Sequence, residues 1–222
     1  MPDIDDAAAA LEVRGLWRRF GAKVAVAGID LAVPAGSFYG LVGPNGAGKT
    51  TTLSMATGLL KPDAGTVLVH GKDLWANPTE VKHLLGVLPD GVRLFDRLTG
   101  AQLITYAGLL HGLDRDTVAE RTADLLRAMA LEADARTLVV DYSAGMTKKV
   151  ALACALVHVP RLLVLDEPFE AVDPVSAANI RDILGSYVRS GGTVILSSHV
   201  MDLVQRLCDH CLLYTSPSPR DS

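Results

Sequence analysis

Two short strings carry the side chains that could do chemistry. The first, GPNGAGKT from Gly43 to Thr50, fits the spacing G-x-x-x-x-G-K-[ST]. Gly43, Gly46 and Gly48 let successive backbone N–H groups curl around phosphate oxygens with no Cβ in the way, while Pro44, Asn45 and Ala47 fill the intervening positions. Lys49 sets a point charge toward β- and γ-phosphates, the Thr50 hydroxyl is a Mg²⁺ ligand, and Thr51 adds a contact to the α-phosphate. The chemistry implied is nucleoside triphosphate binding. Kinases, GTPases and many ATPases share this loop, so the motif alone goes no further.

The second string, RLLVLDEP, ends a hydrophobic run on Asp166 and Glu167. One carboxylate can hold Mg²⁺ through its water shell. Its neighbour, pointing the other way by strand alternation, can polarise a water for attack on the γ-phosphate. His199 follows the apolar run VILSS, and a parallel sheet collects its ligands at the carboxyl ends of its strands. His199 can therefore reach the γ-phosphate beside Glu167. A third string, DYSAGM from Asp141 to Met146, opens a helical-looking run, TKKVALACALV. Its Ser-x-Gly step is either a plain helix cap or a place where a phosphate docks.

These groups must be positioned by strands and helices, and the patterning supplies both. FYGLVG reads as a short buried strand running directly into the Gly-rich loop, with a helix after it. RLLVLDEP and GTVILSS read as further buried strands, LLGVLPDG as a strand ending in a Pro-containing loop, and GTVLVHGKDL as an alternating one. Upstream, LEVRGLWRRF and GIDLAVPAGSFYGLVG read as strands joined by a turn, the second broken at Pro34, Ala35 and Gly36. From about Leu98 to Ala133 the apolar spacing becomes helical, and SAANIRDILGSYVRSG is helical again. Strands separated by helices, with a helical block inserted, predict an α/β core carrying a mostly helical subdomain.

Bulk properties narrow the class. The chain has 222 residues, 49% hydrophobic and 21% charged, which fits a folded domain and excludes general disorder. A net charge of −4 gives no support to a broad nucleic-acid surface. The acidic N-terminus MPDIDDAAAALEV lacks the basic start of a signal peptide. The most apolar window is broken by His158, Pro160 and Arg161, short of the roughly 20 residues of a membrane helix. A soluble intracellular protein is expected. Cys154, Cys208 and Cys211 form no disulfide framework, and CDHC lacks the second ligand pair of a zinc site. The final segment, CLLYTSPSPRDS, loses the strand-helix rhythm. Residues Cys211 to Asp221 resemble the translation of a transposase-type sequencing adapter, so fold reasoning stops at residue 210.

From Leu11 to His210 the motifs resemble, in order, the nucleotide-binding domain of ATP-binding cassette (ABC) transporters. Phe20 in RRFG matches the aromatic position that stacks on adenine. GPNGAGKTT matches the Walker A string and LLVLDEP the Walker B string with Glu167 as its catalytic acid. EAVDP matches the D-loop with Asp173 at a dimer seam, SSH the H-switch at His199, and YSAGM the signature. Asp90 in LPDG stands where the family usually has Gln, and a carboxylate there can still face Mg²⁺ or its water. The signature departs from L-S-G-G-Q at Tyr142, Ala144 and Met146, a pattern that looks like bacterial ABC-2-type exporters.

The resemblance implies a P-loop NTPase core with a mostly parallel sheet, an N-terminal antiparallel β-subdomain and an inserted α-helical subdomain. On this reading the ATPase domain spans residues 8–210, the helical insert about 92–150, and residues 211–222 are a non-native tail. It implies ATP and Mg²⁺ as ligands, with Thr50, Asp166 and Asp90 toward the metal. It also implies a second such domain paired head to tail, where Ser143 Oγ and the Gly145 N–H contact the partner's γ-phosphate. A membrane permease would be driven through the loop after Asp90 and the helical block. The subunit would then be cytoplasmic and peripheral on the inner face of the membrane, with no nucleic acid expected. Two rival readings stay open: a soluble ABC-type ATPase of translation or repair, and a non-catalytic nucleotide-binding regulator. Intact Lys49, Asp166, Glu167 and His199 argue against the second.

Overall fold

A computed structural model of the chain describes residues 9–214. In chain order it contains β1 (Ala9–Phe20), β2 (Lys23–Pro34), β3 (Phe38–Val42), α1 (Lys49–Ala56), β4 (Ala64–Val69) and β5 (Lys72–Asp73). There follow α2 (Pro78–Leu84), β6 (Leu85–Leu88), α3 (Gly100–Leu110), α4 (Arg115–Ala128) and α5 (Ala144–Leu156). The last elements are β7 (Leu162–Leu165), α6 (Pro174–Arg189), β8 (Thr193–Ser198), α7 (Met201–Leu207) and β9 (His210–Leu213).

The expected α/β plan is present. Strands β6, β7, β8, β3 and β9 form one sheet in that order, each pair parallel. A parallel sheet is covered on both faces, so its strands read as continuous apolar runs rather than alternating ones. The LLVL of β7 is such a run, buried at all four positions. Strand alternation then sends Leu162 and Val164 into one apolar cluster and Leu163 and Leu165 into the other. The first cluster joins the sheet to α1 and to the antiparallel sheet β2-β1-β4-β5. The second joins it to the helices, with Ile104, Leu126, Leu152 and Ile180 among its buried members. Truncating a residue such as Leu163 to Ala costs about 2–5 kcal/mol by the usual cavity penalty.

The inserted helices start where side chains can cap them. The Thr99 hydroxyl accepts from the Gln102 N–H while the Gln102 side chain accepts from the Thr99 N–H, closing a capping box on α3. Asp114 caps α4 and Ser143 caps α5. No helix among the described residues is long and apolar enough to cross a membrane.

Three features differ from the sequence expectation. The antiparallel sheet is not purely N-terminal, because β4 and β5 come after α1. The short helix α2 has no clear periodic signal and starts on Pro78, which suits a first helical position. The fold also runs past the expected limit at residue 210. Strand β9 pairs Cys211, Leu212 and Leu213 with β3, and the Tyr214 hydroxyl donates to Thr52 Oγ1 at 2.7 Å. The stretch CLLY is apolar enough to serve as a sheet edge, whatever follows it. Residues 1–8 and 215–222, including the ends assigned to the domain and tail, lie outside the described residues.

Candidate active site

The Gly-rich loop joins the carboxyl end of β3 to the N-terminus of α1. Gly48, the N-cap of α1, has φ 106°. A Cβ there would lie 2.5 Å from the Ala25 carbonyl oxygen, so both the backbone angle and the close approach of β2 demand glycine. The helix start thereby presents its free N–H groups to an anion. Lys49 is only 5% exposed, and its ammonium donates to the carbonyls of Gly43 at 2.7 Å and Pro44 at 3.2 Å.

Two strand ends bring the acid groups to this loop. Asp166 follows β7 directly and is buried, while Glu167, next to it, has φ 46°. A left-handed backbone at a non-glycine residue stores about 1–3 kcal/mol of strain, a cost that persists where surrounding contacts over-determine the geometry. Those contacts are visible. The Ser197 hydroxyl, at the end of β8, donates to Asp166 Oδ1 and accepts from the Glu167 N–H at 2.9 Å. Lys148, on the second turn of α5, donates from Nζ to the Glu167 carbonyl at 3.1 Å. The Glu167 carboxylate lies between two basic side chains: Oε1 is 3.7 Å from Lys49 Nζ, and Oε2 is 3.1 Å from His199 Nδ1. Lys49, Glu167 and His199 thus converge on one point.

That point opens into a cleft of about 370 Å³ lined by Phe20, Asn45, Gly46, Gly48, Lys49, Thr50, Thr51, Asp90 and Glu167, with Lys23, Ala25 and Glu170. Phe20 stands at the turn between β1 and β2 and is 48% exposed. A smaller cavity of about 90 Å³ has Thr50, Asp90 and Asp166 in its wall. These are hard oxygen donors of the kind Mg²⁺ takes. The fit is supported by Asp166 itself: it is 4% exposed, and the Ser197 hydroxyl is the one hydrogen-bond donor to its carboxylate among the described residues. A buried carboxylate so lightly partnered is suited to a cation. Asp90 is exposed and its Oδ1 accepts from the Gly91 N–H at 2.8 Å.

The remaining expected residues sit elsewhere. His199, exposed and touching the site through Glu167, and Ser143, Gly145 and Asp173 are not in the lining of either cavity; the last three lie apart from it. Ser143, Gly145 and Asp173 form a second group, in which the N-termini of α5 and α6 abut. Ser143 Oγ accepts from the Met146 N–H at 3.3 Å, and Asp173 accepts from the N–H groups of Val175 and Ser176. The Ser176 N–H is the main reason the Asp173 carboxyl is held below its ordinary pKa. A Cβ at Gly145 would lie 2.7 Å from Asp173 Oδ2 and 2.8 Å from Ser176 Oγ, so the two helix starts meet only through glycine. Tyr142, in place of the expected Leu, donates from its hydroxyl to the Asp134 carbonyl at 2.9 Å and anchors the turn before α5.

Sequence reasoning missed Ser197 and Lys148. For Ser197 a signal was present, a polar pair ending an otherwise aliphatic strand; for Lys148 there was none beyond its charge.

Comparison with known proteins agrees with this geometry. The ABC transporter family matches residues 26–170. The daunorubicin/doxorubicin resistance ATP-binding protein DrrA of Streptomyces peucetius is 39% identical over 90% of this chain and 61% of its own length. The linearmycin resistance ATP-binding protein LnrL of Bacillus subtilis is 34% identical over 90% of this chain and 64% of its own length. The chain therefore spans less than two thirds of these relatives. A solved structure of the ATP binding subunit of an ABC transporter superposes with a TM-score of 0.85 and 28% identity, covering 92% of this chain and 85% of that one. CbiO1 from Clostridium perfringens, part of the ABC transporter complex cbiONQ, gives a TM-score of 0.80 at 27% identity, covering 93% and 84%.

Proposed function

Because the chain belongs to the ABC transporter family, we propose that it is the ATP-binding and ATP-hydrolysing subunit of an exporter, working with a separate membrane permease. The observation that carries this reading is the convergence of Lys49 and His199 on the Glu167 carboxylate, with Lys49 and Glu167 in the wall of one cleft. A non-catalytic nucleotide-binding regulator would not need a carboxylate held in a strained backbone against a lysine and a histidine.

In the proposed reaction the Gly-rich loop and the α1 N-terminus hold the triphosphate, and Phe20 offers its ring face to the base. Glu167 orients a water and takes its proton as the water attacks the γ-phosphorus. Lys49 and His199 stabilise the charge that spreads over the γ-oxygens. Mg²⁺, when bound with ATP, supplies neutralisation of the phosphate charge, and Thr50, Asp166 and Asp90 would hold it. Ser197 keeps both carboxylate-bearing residues in register. Phosphoryl transfer asks a protein for positioning and charge, and these few groups provide both.

Ser143 and Asp173 are exposed beside the buried Gly145, a placement that supports a head-to-tail dimer in which one subunit's signature closes over its partner's ATP. The names of the relatives, resistance ATP-binding proteins, support the exporter class. ATPase rate per protomer, measured over a hundredfold range of protein concentration, tests the reading. The expected rate rises with concentration and then saturates. A rate independent of concentration would mean that each subunit works alone, and ATP binding with no turnover at any concentration would favour a non-catalytic regulator.

A further inference from the structure

The tip of the β1–β2 hairpin holds an ion pair that the nucleotide reading does not use. Phe20 is the last residue of β1, half-exposed, and it contributes to the cleft wall. An aromatic ring in that position has little to pack against and several rotamers to choose from. Arg18 lies two residues back in the strand. Its guanidinium carbon is 4.9 Å from the centroid of the Phe20 ring. Phe20 is part of the cleft lining and Arg18 is not.

The guanidinium is held in turn. Its Nη1 donates to Asp63 Oδ1 at 2.6 Å and to the Lys61 carbonyl at 3.2 Å. Asp63 is tied into β1 on both sides: its Oδ2 accepts from the Arg19 N–H at 2.8 Å, and its own N–H donates to the Trp17 carbonyl at 2.9 Å. The register of β1 against β2 shifts between Arg18 and Arg19, and Asp63 takes up the N–H at that irregularity. The Arg18 Nε is buried and lacks a hydrogen-bond partner among the described residues, so the group is held by Asp63, the Lys61 carbonyl and the ring face.

We propose that Arg18 is a positioning residue for nucleotide binding: anchored by Asp63, it fixes the Phe20 ring by a cation–π contact, leaving the opposite face preset to stack on a purine base. The inference rests on the reading of Phe20 as the base platform. A cation over one face of the ring removes rotamer freedom that would otherwise be lost on binding, and a preset platform binds more tightly for that reason.

Calorimetric titration of the full chain with ATP and with inorganic tripolyphosphate, which has no base, separates the possibilities. In the parent chain ATP binds more tightly than tripolyphosphate. Arg18→Met weakens ATP by about fivefold, the size of an exposed cation–π contact, and leaves tripolyphosphate unchanged. Arg18→Lys recovers part of the loss. In a Phe20→Ala background, Arg18→Met has no further effect on ATP, the coupling expected of residues acting as a unit. Equal weakening of both ligands, or the same ATP loss with and without Phe20, makes Arg18 a structural ion pair and overturns the proposal. So does an Arg18→Met chain that binds ATP like the parent. If the parent itself binds ATP no more tightly than tripolyphosphate, the platform reading of Phe20 fails first, independently of Arg18.

Discussion

Around Lys49 the functional atoms are buried and cross-linked: the ammonium is tied to two loop carbonyls, and the Glu167 carboxylate spans Lys49 and His199. Around Ser143 the side chains of Ser143 and Asp173 are exposed, and what holds them is the geometry of two helix starts pressed together at the buried Gly145. The first region has its chemistry arranged within one chain. The second has its polar side chains occupied as caps, Ser143 Oγ accepting from the Met146 N–H and Asp173 from the N–H groups of Val175 and Ser176, at an exposed surface outside either cavity. One physical link joins the two regions directly, the Lys148 ammonium on the Glu167 carbonyl. Movement of α5 can therefore be felt at the strained residue that carries the proposed base.

This contrast can be broken by experiment. The largest effect is expected inside the buried region: Glu167→Gln keeps the shape and hydrogen-bonding reach of the side chain but cannot accept the water proton. ATP should still bind, and turnover in a steady-state phosphate-release assay should fall by about 10²–10⁴-fold. Turnover at the parental rate would remove Glu167 from the role of base. Next comes the exposed region. Ser143→Arg fills the face where a second subunit would close and should cut hydrolysis roughly 100-fold, the cost of losing an anion-stabilising donor. ATP affinity of the isolated protomer, measured by titration under conditions that keep it monomeric, should stay near the parental value. Equal loss of both would mean that Ser143 is only a cap. A smaller effect is expected from Ser197→Ala, which removes the one hydroxyl serving both Asp166 and the Glu167 N–H. Turnover should drop about tenfold, and chemical denaturation should show about 1–3 kcal/mol of lost stability from the unpaired groups. Intact stability with full activity would show that the strained turn holds itself.

The phosphate loop and the acidic pair were legible because their chemistry is local. Gly48 must adopt a left-handed angle next to β2, and Lys49 and Thr50 must follow it immediately, so the spacing reports the geometry. Asp166 and Glu167 were legible for a similar reason, since four buried aliphatic residues in a row fix where β7 ends. Ser197, Lys148 and Arg18 were not legible in their roles. Each acts across a contact made by residues distant in the chain: β8 on β7, α5 on the loop after β7, and the α1–β4 connection on β1. Asp90 lies between these cases, found by its place in the motif order and brought beside Thr50 and Asp166 only by packing of the loop after β6.

The stretch CLLY, whose first three residues belong to β9, makes the same point in the opposite direction. Its composition broke the rhythm of the chain, yet it forms the edge of the parallel sheet and closes Tyr214 against Thr52. An edge strand needs backbone pairing and a few apolar side chains, so it tolerates residues that a central strand such as β7 does not.

By itself the sequence determined where the Gly-rich loop and the acid pair lie and that an α/β core carries a helical insert. Those properties follow from backbone angles, side-chain type and short-range periodicity, all of which act within a few residues. Only the tertiary structure decided that Glu167 sits strained between Lys49 and His199, that Ser197 and Lys148 hold it there, and that Ser143 faces away from the cleft. Those facts depend on which distant strand ends and helix starts are packed together, and packing is a property of the whole chain.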